Sequence, residues 1–415
     1  MKQRYNYRIY PNKEQTRSLE QMTGNCRWLW NYMLGLNIKE YETSNKFIFA
    51  HDMITRLPDL KTIHAWLKLS YSQSLQSTCR DLDLALRASF KKIRGFPKFK
   101  SKRDINSVSF PQHIKVIGKK LRVPKVGDIR IKLHRDVPEF KTVTIKKNKI
   151  GHWFASFVVE VTELPIIDIS TITCDKVVGL DMNAHSVDLS DGTSFKSPRP
   201  NIKFKKKTRY IQRKISRAQK TSRNREKLIY QLNKIEIKKT NIRRNFIHQI
   251  SRKIANSYDL ISMETLDIKS MKQHYKTAIA VADNQWSQLF NFIEYKARLL
   301  GKHAVRINQY LPSTKTCSRC GDKQDISINT RIYDCKSCGS NIPRDLNSAI
   351  NIRNWGYESL TGMKYQSKSG QELPVEESQS DTREPMDVIE ARLSSDISDT
   401  SIHMKWEAAC SLDGR

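Results

Sequence analysis

No run of about 18 apolar residues, the length a membrane span needs, occurs anywhere in the 415-residue chain. The first ten residues, MKQRYNYRIY, also lack the apolar region of a signal peptide. A disulfide framework is missing as well. Of eight cysteines, Cys26, Cys79, Cys174 and Cys410 stand singly, a usage that fits reduced thiols in a cytoplasm. Acids are scarce against bases, 42 Asp+Glu against 74 Lys+Arg, for a net charge of +32. The segment from Gly370 onward holds eleven acids and four bases, so residues 1–369 carry about +39 and call for a polyanionic partner. Proline and glycine are absent from Asn201 to Leu300, which predicts a mostly helical stretch. Within it, Lys203 to Lys253 contains nineteen Lys/Arg and two acids. Such a density of one sign implies nucleic-acid contact, since the charges repel one another without a balancing polyanion.

What is present is most specific near the C-terminal end. Cys317 and Cys320 form one C-x-x-C pair and Cys335 and Cys338 another, with fourteen residues between them. Gly321 and Gly339 follow the two knuckles, and the spacing predicts a structural four-cysteine zinc site holding one Zn²⁺, with no open coordination position. Seven residues on, Asp345 opens PRDLNSAINIRNW, a helical segment. Leu346, Ala349, Ile350 and Arg353 keep a 3–4 spacing that would form its packed face.

Upstream, RYNYRIY alternates like a strand, and Asn12 with Gln15 matches a capping box for a helix carrying Leu19, Met22, Cys26, Trp30 and Met33 on its core face. A second helix is expected from about Tyr71 to Ile93. After it, GFPKFKSKR interleaves Phe96 and Phe99 with Lys98, Lys100, Lys102 and Arg103. That pattern suits stacking and phosphate contact with nucleic acid; a solvated loop with two packed phenylalanines fits it equally. Residues 106–163 are short, β-rich and turn-punctuated, as in a small antiparallel barrel closed by the N-terminal strand.

Three acids then stand apart. Asp181 lies inside the apolar strand of KVVGLDMN, Glu264 ends the strand of DLISME, and Asp345 sits on the C-terminal helix. A buried acid is costly unless paired or bound to metal; for Asp181 the other reading is a surface position on an edge strand. Three carboxylates can share two divalent ions, the arrangement that serves in-line phosphodiester hydrolysis. The order strand, hairpin, helix, strand, helix is that of an RNase H-like nuclease core.

Taken together, YRIYPNKEQ, DLDLALRASFKKIRGFPKFKSK, VGLDMN, LSDG, NREKL, ISMETLDIKSM, PSTKTCSRCG, CKSCG and RDLNSAINI, in this order over nearly the whole chain, resemble the TnpB family. These are the nucleases of bacterial insertion sequences, related to type V CRISPR effectors. The resemblance implies a multidomain α+β protein. Residues 1–10 and 104–172 would form a wedge-type β-barrel, and 11–103 a helical recognition insert. Residues 173–310 and 340–366 would form a RuvC-like core, with 203–256 its basic helical hairpin. Residues 311–339 would be an inserted zinc ribbon that binds target nucleic acid, and 367–415 an acidic disordered tail.

It further implies Asp181, Glu264 and Asp345 as catalytic ligands of two Mg²⁺ or Mn²⁺. The activity implied is RNA-guided cleavage of double-stranded DNA beside a short flanking motif, as a monomer per guide RNA transcribed from the transposon end. The setting would be a bacterial or archaeal cytoplasm, at the nucleoid. The cations expected to contact nucleic acid are Lys98, Lys100, Lys205, Lys206, Lys207, Arg209, Arg213, Lys214, Arg217 and Arg344, with Asn347 a further phosphate candidate. Two positions depart from the family's pattern: Asn183 where many relatives have Gly, and Pro343 before Arg344 where an acid is frequent. Two other functions are compatible with the motifs: a guided DNA-binding repressor that does not cut, and a guide-independent RNase H-like nuclease or transposase.

Overall fold

The computed structural model describes residues 1–102, 107–273, 275–327 and 330–365. The acidic tail expected over 367–415 lies outside the described residues. Contacts divide the chain into two units, the first comprising Met1–Val161 and the second beginning at Thr162.

In the first unit, β1 (Lys2–Tyr10) leads into α1 (Lys13–Ser44). Asn12 and Gln15 close the predicted capping box, Asn12 Oδ1 accepting from the Gln15 amide at 2.8 Å and Gln15 Oε1 from the Asn12 amide at 3.0 Å. Such a cap contributes about 1 kcal/mol. Two short helices, α2 (Ala50–Thr55) and α3 (Leu57–Ile63), and a 3₁₀ turn precede α4 (Ser72–Phe90). Six strands follow: β2 (Ser107–Phe110), β3 (Lys115–Ile117), β4 (Lys120–Val123), β5 (Gly127–Lys132), β6 (Phe140–Lys147) and β7 (Trp153–Glu160). They join β1 in one antiparallel sheet of order β2-β6-β7-β1-β5-β4-β3. Alternation along β1 turns Tyr7 and Ile9 into a core shared with Phe157, Val143 and Ile129 of the sheet and with Leu19, Met33, Leu75 and Leu82 of α1 and α4.

The boundary falls eleven residues before the expected 172. The amides of Leu164 and Ile167 donate to the carbonyls of Leu299 and Gly301, and His303 Nε2 meets Ile167 O at 2.8 Å. Residues 162–172 are thus tied to the second unit.

That unit is built on β8 (Val177–Met182), β9 (Ser186–Leu189) and β10 (Ser194–Lys196), an antiparallel meander. Helices α5 (Pro200–Lys203), α6 (Lys205–Arg217) and α7 (Arg223–Ser257) cross to β11 (Leu260–Met263). Then α8 (Ile268–Gln273), α9 (Tyr275–Asn284) and α10 (Trp286–Leu299) cross to β12 (His303–Arg306), and β13 (Ile332–Asp334) and β14 (Asn341–Pro343) lead into α11 (Arg344–Thr361). The sheet order is β10-β9-β8-β11-β12, with β8, β11 and β12 mutually parallel. Parallel neighbours need long crossovers, which the helical stretches supply.

Both faces of β8 are covered, which is why all six of its residues are buried. Val178, Leu180 and Met182 pack with Ile247, Ile250 and Ile254 of α7 and Leu289 and Ile293 of α10. The opposite face, with Gly179 and Asp181, meets α11. Of the expected face of α11, Leu346, Ala349, Ile350 and Arg353, only Ala349 is fully buried; the other three are half-buried, and the packed line continues instead through Ser348, Ile352 and Gly356.

Candidate active site

Asp181 sits near the C-terminal end of β8 and is 5% exposed. On the parallel neighbour, Met263 pairs with Leu180, so Glu264, the next residue, comes level with Asp181. Asp345 enters from the first turn of α11. Two glycines bring α11 that close. A Cβ on Gly179 would stand 2.1 Å from Ala349 O, and one on Gly356 would stand 1.9 Å from Ser262 Oγ. Only residues without a side chain let helix and strand meet at this distance.

The hydrogen bonds hold the carboxylates individually. Asp181 Oδ1 accepts from Ser348 Oγ at 3.1 Å and Oδ2 from Asn183 Nδ2 at 2.8 Å. Glu264 Oε1 accepts from Ser313 Oγ at 3.3 Å, and Asp345 Oδ1 from Arg344 Nη2 at 3.2 Å. Burial, then the charges of Glu264 and Asp345, push the Asp181 carboxyl well above its ordinary range, and Ser348 pulls the other way. Burial also raises Glu264, against hydrogen bonds from Asp181 and Ser313. Asp181 and Glu264 thus lie close enough to act on one another. A divalent cation would neutralise such a pair, and oxygen donors of this kind fit Mg²⁺ or Mn²⁺.

The four cysteines are more tightly gathered. Among the described residues they alone bring three or more such donor atoms all within 4.8 Å of one another; the three carboxylates are spaced more widely. Cys317 and Cys338 Sγ atoms lie 3.7 Å apart, and those of Cys320 and Cys335 3.6 Å. A tetrahedral ion with metal–sulfur bonds of about 2.3 Å sets its sulfurs about 3.8 Å apart, so the quartet fits. Each knuckle closes alike, the Gly321 and Gly339 amides donating to the Cys317 and Cys335 carbonyls at 2.9 Å, with φ of +80° and +70°.

Asn347 proves to be fully buried rather than presented to a phosphate. Its Oδ1 accepts from the Ser318 amide at 2.8 Å and its Nδ2 donates to Thr316 O at 2.7 Å. Asn351 Nδ2 reaches Thr316 O and Ser313 O. Two asparagines one turn apart thereby fasten the cysteine loop to α11, and Ser313 carries that anchorage to Glu264.

The cations divide. Lys205, Lys206, Lys207, Arg209, Arg213, Lys214 and Arg217 are all exposed on α6, and among the described residues none is paired with a carboxylate. Exposed Tyr210 lies among them, under the Lys214 ammonium at 4.6 Å. Lys98 is exposed. The Lys100 ammonium stands 3.4 Å from the centre of the Trp30 ring, while Asn31 ties its backbone at 2.7 and 2.9 Å. Phe96 and Phe99 are 44% and 57% exposed, so the packed-phenylalanine reading of that loop does not hold. On α7 the basic face is narrower than its sequence suggests, because Lys239 and Arg243 are buried. Lys239 pairs with Glu236 at 2.7 Å and Arg243 with Asp283 at 3.4 Å.

Sequence reading passed over Ser348, Ser313, Gly179 and Gly356. Ser348 follows Asp345 by three residues and Gly179 precedes Asp181 by two, so each shares a face with an acid already singled out. Ser313 gave no such signal.

Comparison with known proteins agrees with this architecture. A family model described as "Probable transposase" (OrfB_IS605) matches residues 156–274, one described as "Cas12f1-like, TNB domain" matches 286–352, and one described as "Helix-turn-helix domain" matches 1–46. In this chain the last stretch is a strand and a single long helix. A Streptomyces pristinaespiralis protein named "Putative RNA-guided DNA endonuclease" is 27% identical over 362 residues, 85% of this chain and 89% of that protein. InsQ of Escherichia coli K12, with the same description, is 27% identical over 380 residues, 86% and 93% of the two chains. "TnpB-like protein L79" of Acanthamoeba polyphaga mimivirus is 32% identical over 137 residues, 32% of this chain and 26% of that one. In fold, the chain is similar to the protein in the cryo-EM structure of a Cas12f1–sgRNA–target DNA complex, with a TM-score of 0.52, 17% identity and 82% of each chain covered. Its N-terminal, central and C-terminal segments are thus each matched, and over most of its length the chain is similar to proteins described as putative RNA-guided DNA endonucleases.

Proposed function

We propose that this chain is a transposon-associated, RNA-guided endonuclease that cuts double-stranded DNA beside a short flanking motif. The observation that carries the reading is Asp181, buried and beset by Glu264 and Asp345, where the central strand β8 of a mixed sheet meets α11. The mixed sheet with α11 across β8 is read as an RNase H-like, RuvC-type core in which the three acids hold two Mg²⁺ or Mn²⁺. When bound, such ions polarise the scissile phosphate and lower the pKa of the attacking water. The protein's own part is positional. Ser348 and Asn183 orient Asp181, Ser313 orients Glu264, and Arg344 offsets the charge of Asp345 where a phosphate would approach.

The cysteine quartet is read as a structural zinc site, closed by four thiolates. The relatives' descriptions supply the guide. With sequence read by base pairing, the protein's task is to hold nucleic acid by backbone and shape, and the unpaired cations of α6 suit that task. The sheet and helical insert of the first unit are read as the wedge-type and recognition elements that would engage the flanking duplex.

The test is to express the chain with its flanking DNA, sequence the RNA that co-purifies, and offer the particle a randomised-flank plasmid library with Mg²⁺. A single RNA ending in transposon-adjacent sequence, with depletion of plasmids sharing one flank, is expected. Target binding without cutting would mean a repressor, and cutting without RNA a guide-independent nuclease.

A further inference from the structure

Asn183 stands between two carboxylates. Its Nδ2 donates to Asp181 Oδ2 and to Asp188 Oδ2, each at 2.8 Å. Asp181 and Asp188 are directly opposed across antiparallel β8 and β9, a placement where like charges repel. One amide nitrogen supplies each with a hydrogen. Asp188 is fixed in turn by Ser186 Oγ at 2.6 Å and Ser194 Oγ at 2.5 Å, and among the described residues no Lys or Arg pairs with it. The backbone of Asn183 is held separately: its amide donates to Ser186 O at 3.0 Å, and its carbonyl accepts from Asn284 Nδ2 at 3.1 Å. Asn183 is not among the residues of positive φ, so backbone conformation does not select asparagine here. Its side chain is accounted for by the two carboxylates. Were the amide turned over, its oxygen would face both of them.

We infer that Asn183 is a positioning residue for Asp181, and that Asp188 acts through Asn183 by fixing which end of the amide faces Asp181. The inference rests on Asp181 being a ligand of a divalent cation. With Ser348 on Oδ1 and Asn183 on Oδ2, the plane of the Asp181 carboxylate is set, and each oxygen keeps a lone pair for the ion. Partners that orient a metal ligand in this way are typically worth about 10–100-fold in metal affinity.

The experiment is a Mn²⁺ titration of the full chain followed by electron paramagnetic resonance, with Asp181→Ala protein as the blank. Asn183→Gly is expected to weaken the Asp181-dependent site about tenfold or more, and Asp188→Asn to weaken it in the same direction. The double variant should match Asn183→Gly alone, because Asp188 acts through the residue already removed. Unchanged Mn²⁺ affinity in both single variants, with only a lowered melting temperature, would overturn the proposal, as would independent, additive losses. Wild-type protein without an Asp181-dependent Mn²⁺ site would overturn it too. Wild-type protein that binds Mn²⁺ there and loses it on Asn183→Gly, yet cuts no DNA with any co-purified RNA, would leave the proposal standing and remove the endonuclease reading.

Discussion

Gly356 lies against Ser262 so closely that a Cβ at 356 would fall 1.9 Å from the serine Oγ and 2.4 Å from its Cβ. Gly179 makes the same demand of the helix backbone, at 2.1 Å from Ala349 O and 2.4 Å from Arg353 N. Both contacts lie along the seam that sets Asp345 and Ser348 over Asp181. Overpacking of this kind costs about 1–3 kcal/mol. Gly179→Ala should be the worse, since it meets backbone, which cannot rotate away. Gly356→Ala should be partly rescued by Ser262→Gly. Thermal melting and cleavage rate, measured together, check both; Gly179→Ala protein that melts and cuts like wild type would show that the seam is not tight.

The carboxylate group makes a prediction about metal removal. If Mg²⁺ or Mn²⁺ binds the folded site and not the unfolded chain, it stabilises the protein by mass action, about 2.7 kcal/mol at a hundredfold excess over Kd. Addition of Mn²⁺ to EDTA-treated protein should therefore raise its melting temperature, and the rise should vanish in Asp181→Ala protein. The same substitution should abolish cleavage while RNA and target binding persist. An equal rise in both proteins would place the ion elsewhere.

Much of this site could be read before any coordinates, and the reason is local. Asp181 lies near the end of one short apolar run and Glu264 just past another, so strand position brings them to one end of the sheet, and the paired C-x-x-C spacing needs no tertiary knowledge. The seam of α11 could not be read this way. Apolar periodicity rewards Leu346 and Ile350, whereas the packed line runs through Ser348, Ile352 and Gly356, where small size matters more than hydropathy. Lys239 and Arg243 misled for a different reason: the acid that explains Arg243, Asp283, is forty residues away, and a charge run gives no hint of such a partner. The first unit's end at Val161 likewise depends on bonds from Leu164 and Ile167 to residues near 300.

Zinc removal should be felt at the carboxylates. Asn347 and Asn351 tie the cysteine loop to α11 through Thr316 and Ser313, and Ser313 donates to Glu264. Structural zinc contributes directly to folding. One Zn²⁺ per chain is expected by elemental analysis. Cys335→Ser should lower zinc content and melting temperature and weaken Mn²⁺ binding at the carboxylates. A Cys335→Ser protein that melts like wild type without zinc would contradict this coupling.

His134 gives the first unit a pH dependence. Burial, aided by the Arg135 and Lys132 charges, lowers its pKa to about 4, against about 6.5 in the unfolded chain. Between these values the unfolded state binds the extra proton, so stability rises with pH. The His134 contribution should be complete above about pH 6.5 and fade as pH falls toward 4. Calorimetric melts across that window should show the slope, and His134→Gln should flatten it.

The exposed cations of α6 predict a salt signature. Each phosphate contact made by a Lys or Arg adds about 0.7–0.9 to the slope of log K against log salt. Lys205, Lys206 and Lys207 lie together on the first turn of α6 and, among the described residues, carry no partner that would be lost on substitution. Replacing all three with alanine should leave the fold and melting temperature nearly unchanged, as expected of exposed positions. If two of them contact RNA phosphates, the slope for guide-RNA binding should fall by about 1.5, with the loss of affinity greatest at low salt. An unchanged slope would mean that this face of α6 does not meet the nucleic-acid backbone, and the polyanion demanded by the chain's charge would then have to be held by other cations.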